Sequence, residues 1–522
     1  MRRYLLILSG ILFQISLTGQ TTGTWGDQLN GTYINPVLNA DYSDPDVIRV
    51  DNKYYMVCSE FHFMGMPVLE SDDMVNWKIL GKVYDNISFP GYDTNEKYGR
   101  GTWAPAIRYH DNKFWIYVCT PDEGLFMSSA PKAEGPWEPL VLVKGIAGWE
   151  DPCPFWDDNG TGYLGHSRVG AGPIIIHKLS ADGKQLLDDG VTVYTGPVAE
   201  GTKIHKLNGY YYLSIPEGGV ERGWQTILRS ETIFGPYEKK VVLEKGSTPI
   251  NGPHQGSLVD TPDGEWWFYH FQSDGAMGRV VHLQPVIWQD NWPVIGVDID
   301  RNGIGEPVYV WKKPAIKGDF EITAPQSDDD FNSTSLSLQW QWNHNPVNSN
   351  WSLTEKPGML TLKALKTENF NKARNTLTQK VMGTTGEAVT EMDLTGITDG
   401  QKAGLCSMGG RNTNLLGVVR KGGQLFVYTE KNGKIADEER VKSKRIYLKV
   451  QLDIKGNNNQ FFFSLDNKQF AKIGESFGTS AGFWKGTRIG LFSYNETSES
   501  GSAAFNWFTY DYDGPKGITL KK

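Results

Sequence analysis

Three carboxylates stand out by where they fall in the chain. Asp44 lies 11 residues before Tyr55, Asp151 lies 12 before Tyr163, and Glu200 lies 11 before Tyr211. Taken singly, Asp44-Pro45 and Asp151-Pro152 read as strand starts or turns, and Glu200-Gly201 as an ordinary turn. Their nearly common phase against aromatic markers implies instead that a repeat gathers three carboxyl groups at one place. Like charges held close raise one another's pKa, a cost that catalysis explains. Hydrolysis of a glycosidic bond uses such a set: one protonated carboxyl serves the leaving oxygen, and one ionised carboxyl activates water. A third can hold the acid's pKa up and orient it.

The elements that must position these groups are short aromatic runs between turn signals. With Tyr55, Trp115, Tyr163, Tyr211 and Trp267 as markers, successive gaps are 60, 48, 48 and 56 residues. Each run follows a hairpin signal: Asp51-Asn52, Asp111-Asn112, Asp158-Asn159-Gly160, Asn208-Gly209 and Asp263-Gly264. No stretch sustains a helical period, so the class is all-β. A unit of about 50 residues with several short antiparallel strands is the size of a propeller blade. The expected architecture over residues 30–313 is therefore a five-bladed β-propeller, with a generic β-sandwich as the weaker alternative. Innermost strands line the axis of such a ring, and equivalent positions lie at one height. The corresponding places in the other two units hold Trp103, 12 before Trp115, and His254, 13 before Trp267. Asp46 lies two positions beyond Asp44, and strand alternation puts both on one face, so the pattern does not choose between them.

Residues 314–330 are polar and Pro-containing and read as a linker. Residues 331–515 alternate cleanly, as in Tyr447-Leu448-Lys449-Val450-Gln451-Leu452, with Gly-rich turns between runs. Such a series predicts a single jelly-roll β-sandwich. At the other end, residues 1–20 run from Arg2-Arg3 through a mostly apolar stretch to Thr18-Gly19-Gln20. That is a secretory signal, and it places the mature protein in the periplasm or outside the cell. No Cys follows it to take a lipid anchor, and no other long apolar run predicts membrane insertion. Cys58, Cys119, Cys153 and Cys406 lie far apart and read as buried thiols. The formal net charge is −8 with no basic stretch, which argues against nucleic acid and anionic membranes as partners. Eighteen Trp and 23 Tyr favour a neutral ligand with flat apolar faces, such as an oligosaccharide or polysaccharide. Nothing in the sequence signals an oligomeric state.

The chain resembles family 43 glycoside hydrolases, five-bladed propeller enzymes that invert the anomeric centre. The resemblance rests on Ser43-Asp44-Pro45-Asp46, Thr102-Trp103-Ala104-Pro105, Glu150-Asp151-Pro152, Ala199-Glu200-Gly201 and Gly252-Pro253-His254-Gln255-Gly256. From Asp328-Asp329-Asp330-Phe331 through Trp340-Gln341-Trp342 it resembles the concanavalin A-like sandwich of β-xylosidase and α-L-arabinofuranosidase members. The resemblance implies an exo-acting, inverting hydrolase releasing xylose or arabinofuranose from hemicellulose-derived chains. It makes Asp44 the general base, Glu200 the general acid and Asp151 the residue that tunes Glu200. It places Arg279 near these carboxylates, although Val280-Val281 depart from the family's usual Glu-Thr. Thr202-Lys203 replaces the common Pro-His, so Lys203 either alters subsite polarity or points to solvent. His254 is the expected axial histidine. No cofactor is required, and the resemblance leaves room for a calcium ion beside His254. Phe61, Phe63, Trp103 and Trp224 are candidates for the pocket wall, where sugar rings stack on aromatics, with interblade packing an equal alternative for Phe63 and Trp224. The alternatives are a non-catalytic carbohydrate-binding propeller, which the intact Asp44, Asp151 and Glu200 argue against, and a relative acting on galactan or arabinan. A retaining fructan-cleaving propeller would carry Trp-x-Asn-Asp-Pro-Asn and Arg-Asp-Pro motifs, which this chain lacks.

Overall fold

The computed structural model describes residues 24–61, 65–250 and 252–515. The leader expected at residues 1–20 lies outside them. Among the described residues, helix is confined to three 3-10 turns at Gly275–Met277, Asn348–Asn350 and Phe370–Lys372.

Five four-stranded antiparallel sheets follow one another along the chain. Their first strands are Asp46–Val50, Trp103–His110, Trp149–Trp156, Lys203–Leu207 and His254–Asp260. The aromatic runs form the second strands, Lys53–Val57, Lys113–Thr120, Gly162–Arg168, Tyr210–Glu217 and Trp266–Ser273. Their rings fill the joints between sheets. Tyr55 meets Phe114 at 5.0 Å, Trp115 meets Trp156 at 5.4 Å, and Phe155 meets Tyr211 at 6.1 Å. Tyr212 meets Trp288 at 5.3 Å, and Tyr269 of the fifth sheet meets Trp77 of the first at 5.7 Å. Each such pair contributes about 0.5–1.5 kcal/mol beyond its buried area.

The first strands are also tied to one another. Ile107 N and Arg108 Nη1 donate to Asp46 Oδ2 at 2.8 and 2.7 Å, and Ile204 N donates to Cys153 Sγ at 3.4 Å. Val47 N donates to Ser257 Oγ at 2.7 Å, which links the first strand directly to the fifth. All four cysteines are buried and unbridged.

Residues 314–330 contain no strand, and at their end Asp329 N donates to Phe508 O at 2.9 Å. The C-terminal part is a pair of sheets with eight and seven strands. The alternating sequence there has the expected cause: Thr385–Asp393 buries every second residue in its second half, against the facing sheet. One hydrophobic cluster runs from Tyr54, Trp77 and Tyr269 into Leu405, Leu448 and Phe505. The two parts of the chain therefore share a core.

Candidate active site

Each first strand is preceded or opened by a residue in the left-handed backbone region. These are Asp44 (φ 55°), Ala104 (39°), Asp151 (56°), Gly201 (65°) and Gln255 (43°). Four of the five are not glycine, and such strain gathers at functional sites. Strand register shifts at the same points, between Trp103 and Ala106, Glu150 and Cys153, and His254 and Gly256. A regular strand sends successive side chains to opposite faces. The kink instead lets consecutive residues line one cavity: Trp103 with Ala104, Glu150 with Asp151, and His254 with Gln255.

This geometry corrects the phase read from sequence. Val50 and Lys53 close the first hairpin, while Leu207 and Tyr210 close the fourth. Tyr211 therefore corresponds to Tyr54, not Tyr55. One layer holds Asp44, Ala104, Asp151, Gly201 and Gln255. Glu200 belongs to the preceding layer, with Ser43, Trp103, Glu150 and His254. The alternation argument linking Asp44 to Asp46 also fails, because Asp44 precedes the strand. Asp46 is fully buried and paired with Arg108 at 2.7 Å.

Asp44, Asp151 and Glu200 line one cavity of about 430 Å³, together with Phe61, Trp103, His254 and Arg279. Asp44 accepts from Ser43 Oγ at 2.7 Å, from Ser59 Oγ, and from Arg279 Nη1 at 3.1 Å. Asp151 accepts from Ser167 Oγ at 3.0 Å, Gly201 N at 2.7 Å and Gln255 Nε2 at 2.8 Å. Glu200 Oε1 shares a 2.7 Å hydrogen bond with His254 Nε2. One carboxyl oxygen each of Glu150, Asp151 and Glu200 lies within 4.8 Å of the others. Burial and the charge of Glu200 raise the Asp151 carboxyl to about 6. Burial, then Asp151 and Glu200, raise Glu150 further, to about 9. The site thus separates Asp44, paired with the Arg279 guanidinium, from a cluster of three carboxyls in which Glu150 and Asp151 are raised.

The sequence profile of glycosyl hydrolases family 43 matches residues 33–293. The chain belongs to this family. It is a glycosidase, and the profile of the β-xylosidase C-terminal concanavalin A-like domain matches residues 328–511. A protein of Xylanibacter ruminicola, assigned by name to the β-xylosidases, is 53% identical over 472 residues, covering 90% of this chain and 88% of its own. The β-xylosidase of Formosa agariphila is 40% identical, covering 95% and 93%. Among solved structures, the bifunctional GH43-CE protein of Bacteroides eggerthii matches with a TM-score of 0.81 at 29% identity. That match covers 92% of this chain and 63% of the other, so this chain spans under two thirds of that protein.

The family 43 pocket holds residues that the sequence did not single out. Trp484, from the sandwich, stands 5.0 Å from Trp103 and 6.1 Å from Phe61, completing an aromatic wall. Its signal was weak: one Trp in the Gly-bordered stretch Gly482-Phe483-Trp484-Lys485-Gly486. Asp41 is buried and acts as a clamp. Its Oδ1 accepts from Arg279 N and its Oδ2 from Gly486 N, both at 2.9 Å. Glu150 was hidden beside Asp151.

Other expectations change. Lys203 neither faces solvent nor reaches the cavity lining. It is fully buried, with Nζ donating to Pro105 O at 3.2 Å and lying 3.9 Å from Asp46. Trp224 lies outside the cavity lining and donates Nε1 to Glu217 at 3.3 Å. Phe63 lies outside the described residues. At His254, Nε2 is engaged by Glu200 at 2.7 Å and Phe271 packs at 5.4 Å.

Proposed function

We propose that the protein is an exo-acting, inverting β-xylosidase whose five sheets close into a five-bladed propeller with the cavity at one mouth. The joint between the first and fifth sheets supports closure of the ring. In this reading Asp44 takes a proton from water, which attacks the anomeric carbon. Glu200 protonates the departing oxygen, and Asp151 keeps negative charge beside Glu200 to favour its protonated form. Arg279 and Ser43 hold the base in place.

The observation that carries the reading is the division of the cavity. Asp44 pairs with a guanidinium, while Glu200 shares its corner with two carboxyls raised above their ordinary range. Such separated environments are how one site runs acid and base chemistry together. The bounded cavity, with Trp484 over one side, suits removal of one terminal pentose rather than cleavage within a chain. The names of the relatives favour xylose over arabinofuranose. The leader at residues 1–20 favours export to the periplasm or medium, where hemicellulose-derived chains are met.

The test compares 4-nitrophenyl β-D-xylopyranoside, 4-nitrophenyl α-L-arabinofuranoside and xylobiose, with proton NMR of the first-formed sugar. We expect the xyloside to show the higher kcat/KM and α-xylose to appear first. Initial β-xylose rejects inversion, and no turnover of any glycoside rejects the enzyme.

A further inference from the structure

Asp44 and Asp151 have both carboxyl oxygens hydrogen-bonded inside the protein, and Glu200 has one. Asp44 is held by Ser43, Ser59 and Arg279, Asp151 by Ser167, Gly201 and Gln255, and Glu200 by His254. Glu150 differs: it lines the cavity and is only 6% exposed, the Ala171 backbone N–H serves its carboxyl, and its Oε1 has no hydrogen-bond partner. Leaving such an atom unsatisfied is costly.

The fold keeps Glu150 where it is. Its backbone pairs with Ser167, the residue whose hydroxyl serves Asp151. The preceding Trp149 stacks on His166 at 3.8 Å, and His166 Nε2 meets His177 Nε2 at 3.1 Å. This packed aromatic floor anchors the strand, so the carboxyl stays in the cavity.

We infer that Glu150 is a sugar-recognition residue whose carboxyl takes a hydroxyl of the glycone held between Asp44 and Glu200. The inference rests on the glycosidase reading above and deepens it. Burial, then Asp151 and Glu200, keep this carboxyl protonated at neutral pH, so it donates as well as accepts. A pentose hydroxyl satisfies either role. A uronic acid glycone would add a fourth carboxyl to this corner and is disfavoured.

The test measures Glu150→Leu and the shorter Glu150→Asp on 4-nitrophenyl β-D-xylopyranoside and its 2-, 3- and 4-deoxy analogues. On the parent xyloside, Glu150→Leu should lower kcat/KM about tenfold or more. On one deoxy analogue, wild type and variant should coincide, because the hydroxyl that Glu150 holds is already gone. Glu150→Asp reads the same pattern if the leucine variant does not fold. An equal loss on all four substrates marks a structural role and overturns the inference, as does no loss on the parent. Calorimetric titration with xylose separates the two failures. If wild type hydrolyses no glycoside, the function fails, and a xylose affinity weakened by Glu150→Leu still supports the contact. If wild type hydrolyses the xyloside but the variant matches it in rate and affinity, only the contact fails.

Discussion

Lys485 of the sandwich sets its ammonium on the Glu60 carboxylate of the catalytic domain, and the two side chains are 2% and 0% exposed. The pair fixes the neighbouring Trp484 over the cavity. Lys380 lies 3.6 Å from the same carboxylate, and Arg488 adds a third cation nearby. Burial pulls Glu60 upward, yet the three cations outweigh it and hold the carboxyl at about 2. Lys485 is pushed down to about 7, first by burial and then by Arg488 and Lys380 against the pull of Glu60.

Stripping one partner from a buried pair costs about 3–5 kcal/mol. Lys485→Met leaves Glu60 with Lys380 and with Gln341 Nε2 at 2.6 Å, so its cost belongs at the lower end. Glu60→Gln leaves Lys485 and Lys380 without their carboxylate, with Asp41 still acting on Arg488, and belongs at the upper end. Urea unfolding of both variants should rank Glu60→Gln as the less stable. The reverse order contradicts a surplus of positive charge.

Trp484→Ala should act on binding. The ring is 51% exposed, so it adds little to the core, and its contacts are with Phe61 and Trp103. Loss of an aromatic contact of about 0.5–1.5 kcal/mol raises KM about two- to tenfold, with kcat and thermal stability little changed. A fall in kcat at constant KM shows that Trp484 does not wall the sugar subsite.

Glu200→Gln and Asp44→Asn should differ in how they respond to the leaving group. Loss of the acid should cost about 10²–10⁴-fold on xylobiose and much less on 2,4-dinitrophenyl xyloside, whose leaving group needs no proton. Loss of the base should lower both alike. Steady-state rates on the two substrates, with circular dichroism to confirm folding, read the difference. Equal losses for Glu200→Gln remove it from the acid role.

Glu150 makes stability depend on pH in an unusual direction. Its carboxyl moves from 4.5 to about 9 on folding. Between those values the folded state keeps a proton that the unfolded chain has released, so this group's contribution falls as pH rises. Glu150→Gln removes that slope. The Tm of the variant minus that of wild type should be larger at pH 8 than at pH 5 by differential scanning calorimetry. A difference that shrinks toward pH 8 means the carboxyl is ionised in the fold.

Residues that announce themselves locally were readable from the chain. Tyr55, Trp115, Tyr163 and Trp267 sit on second strands because hairpin signals precede them, and Asp44, Asp151 and Glu200 do share a cavity. What escaped depends on backbone conformation or on remote contacts. The left-handed kinks that pair Glu150 with Asp151 leave no mark in composition, and the fourth hairpin hides a one-residue offset. Lys203 looks like a surface lysine until Pro105 O and Asp46 are brought to it. Trp484 reaches Trp103 only through the packing of one domain on the other.

Asp41 divides its two oxygens between Arg279, which holds Asp44, and the loop that carries Trp484. That loop has no slack, since a Cβ at Gly486 would sit 2.3 Å from Met277 O. The rear half of the molecule is thus no interchangeable cassette. A recombination event that swapped it would have to bring along a matching acceptor and a bare backbone at the seam. New sugar preferences in this lineage are therefore expected to arise by point changes within the loop, with both halves inherited as a pair.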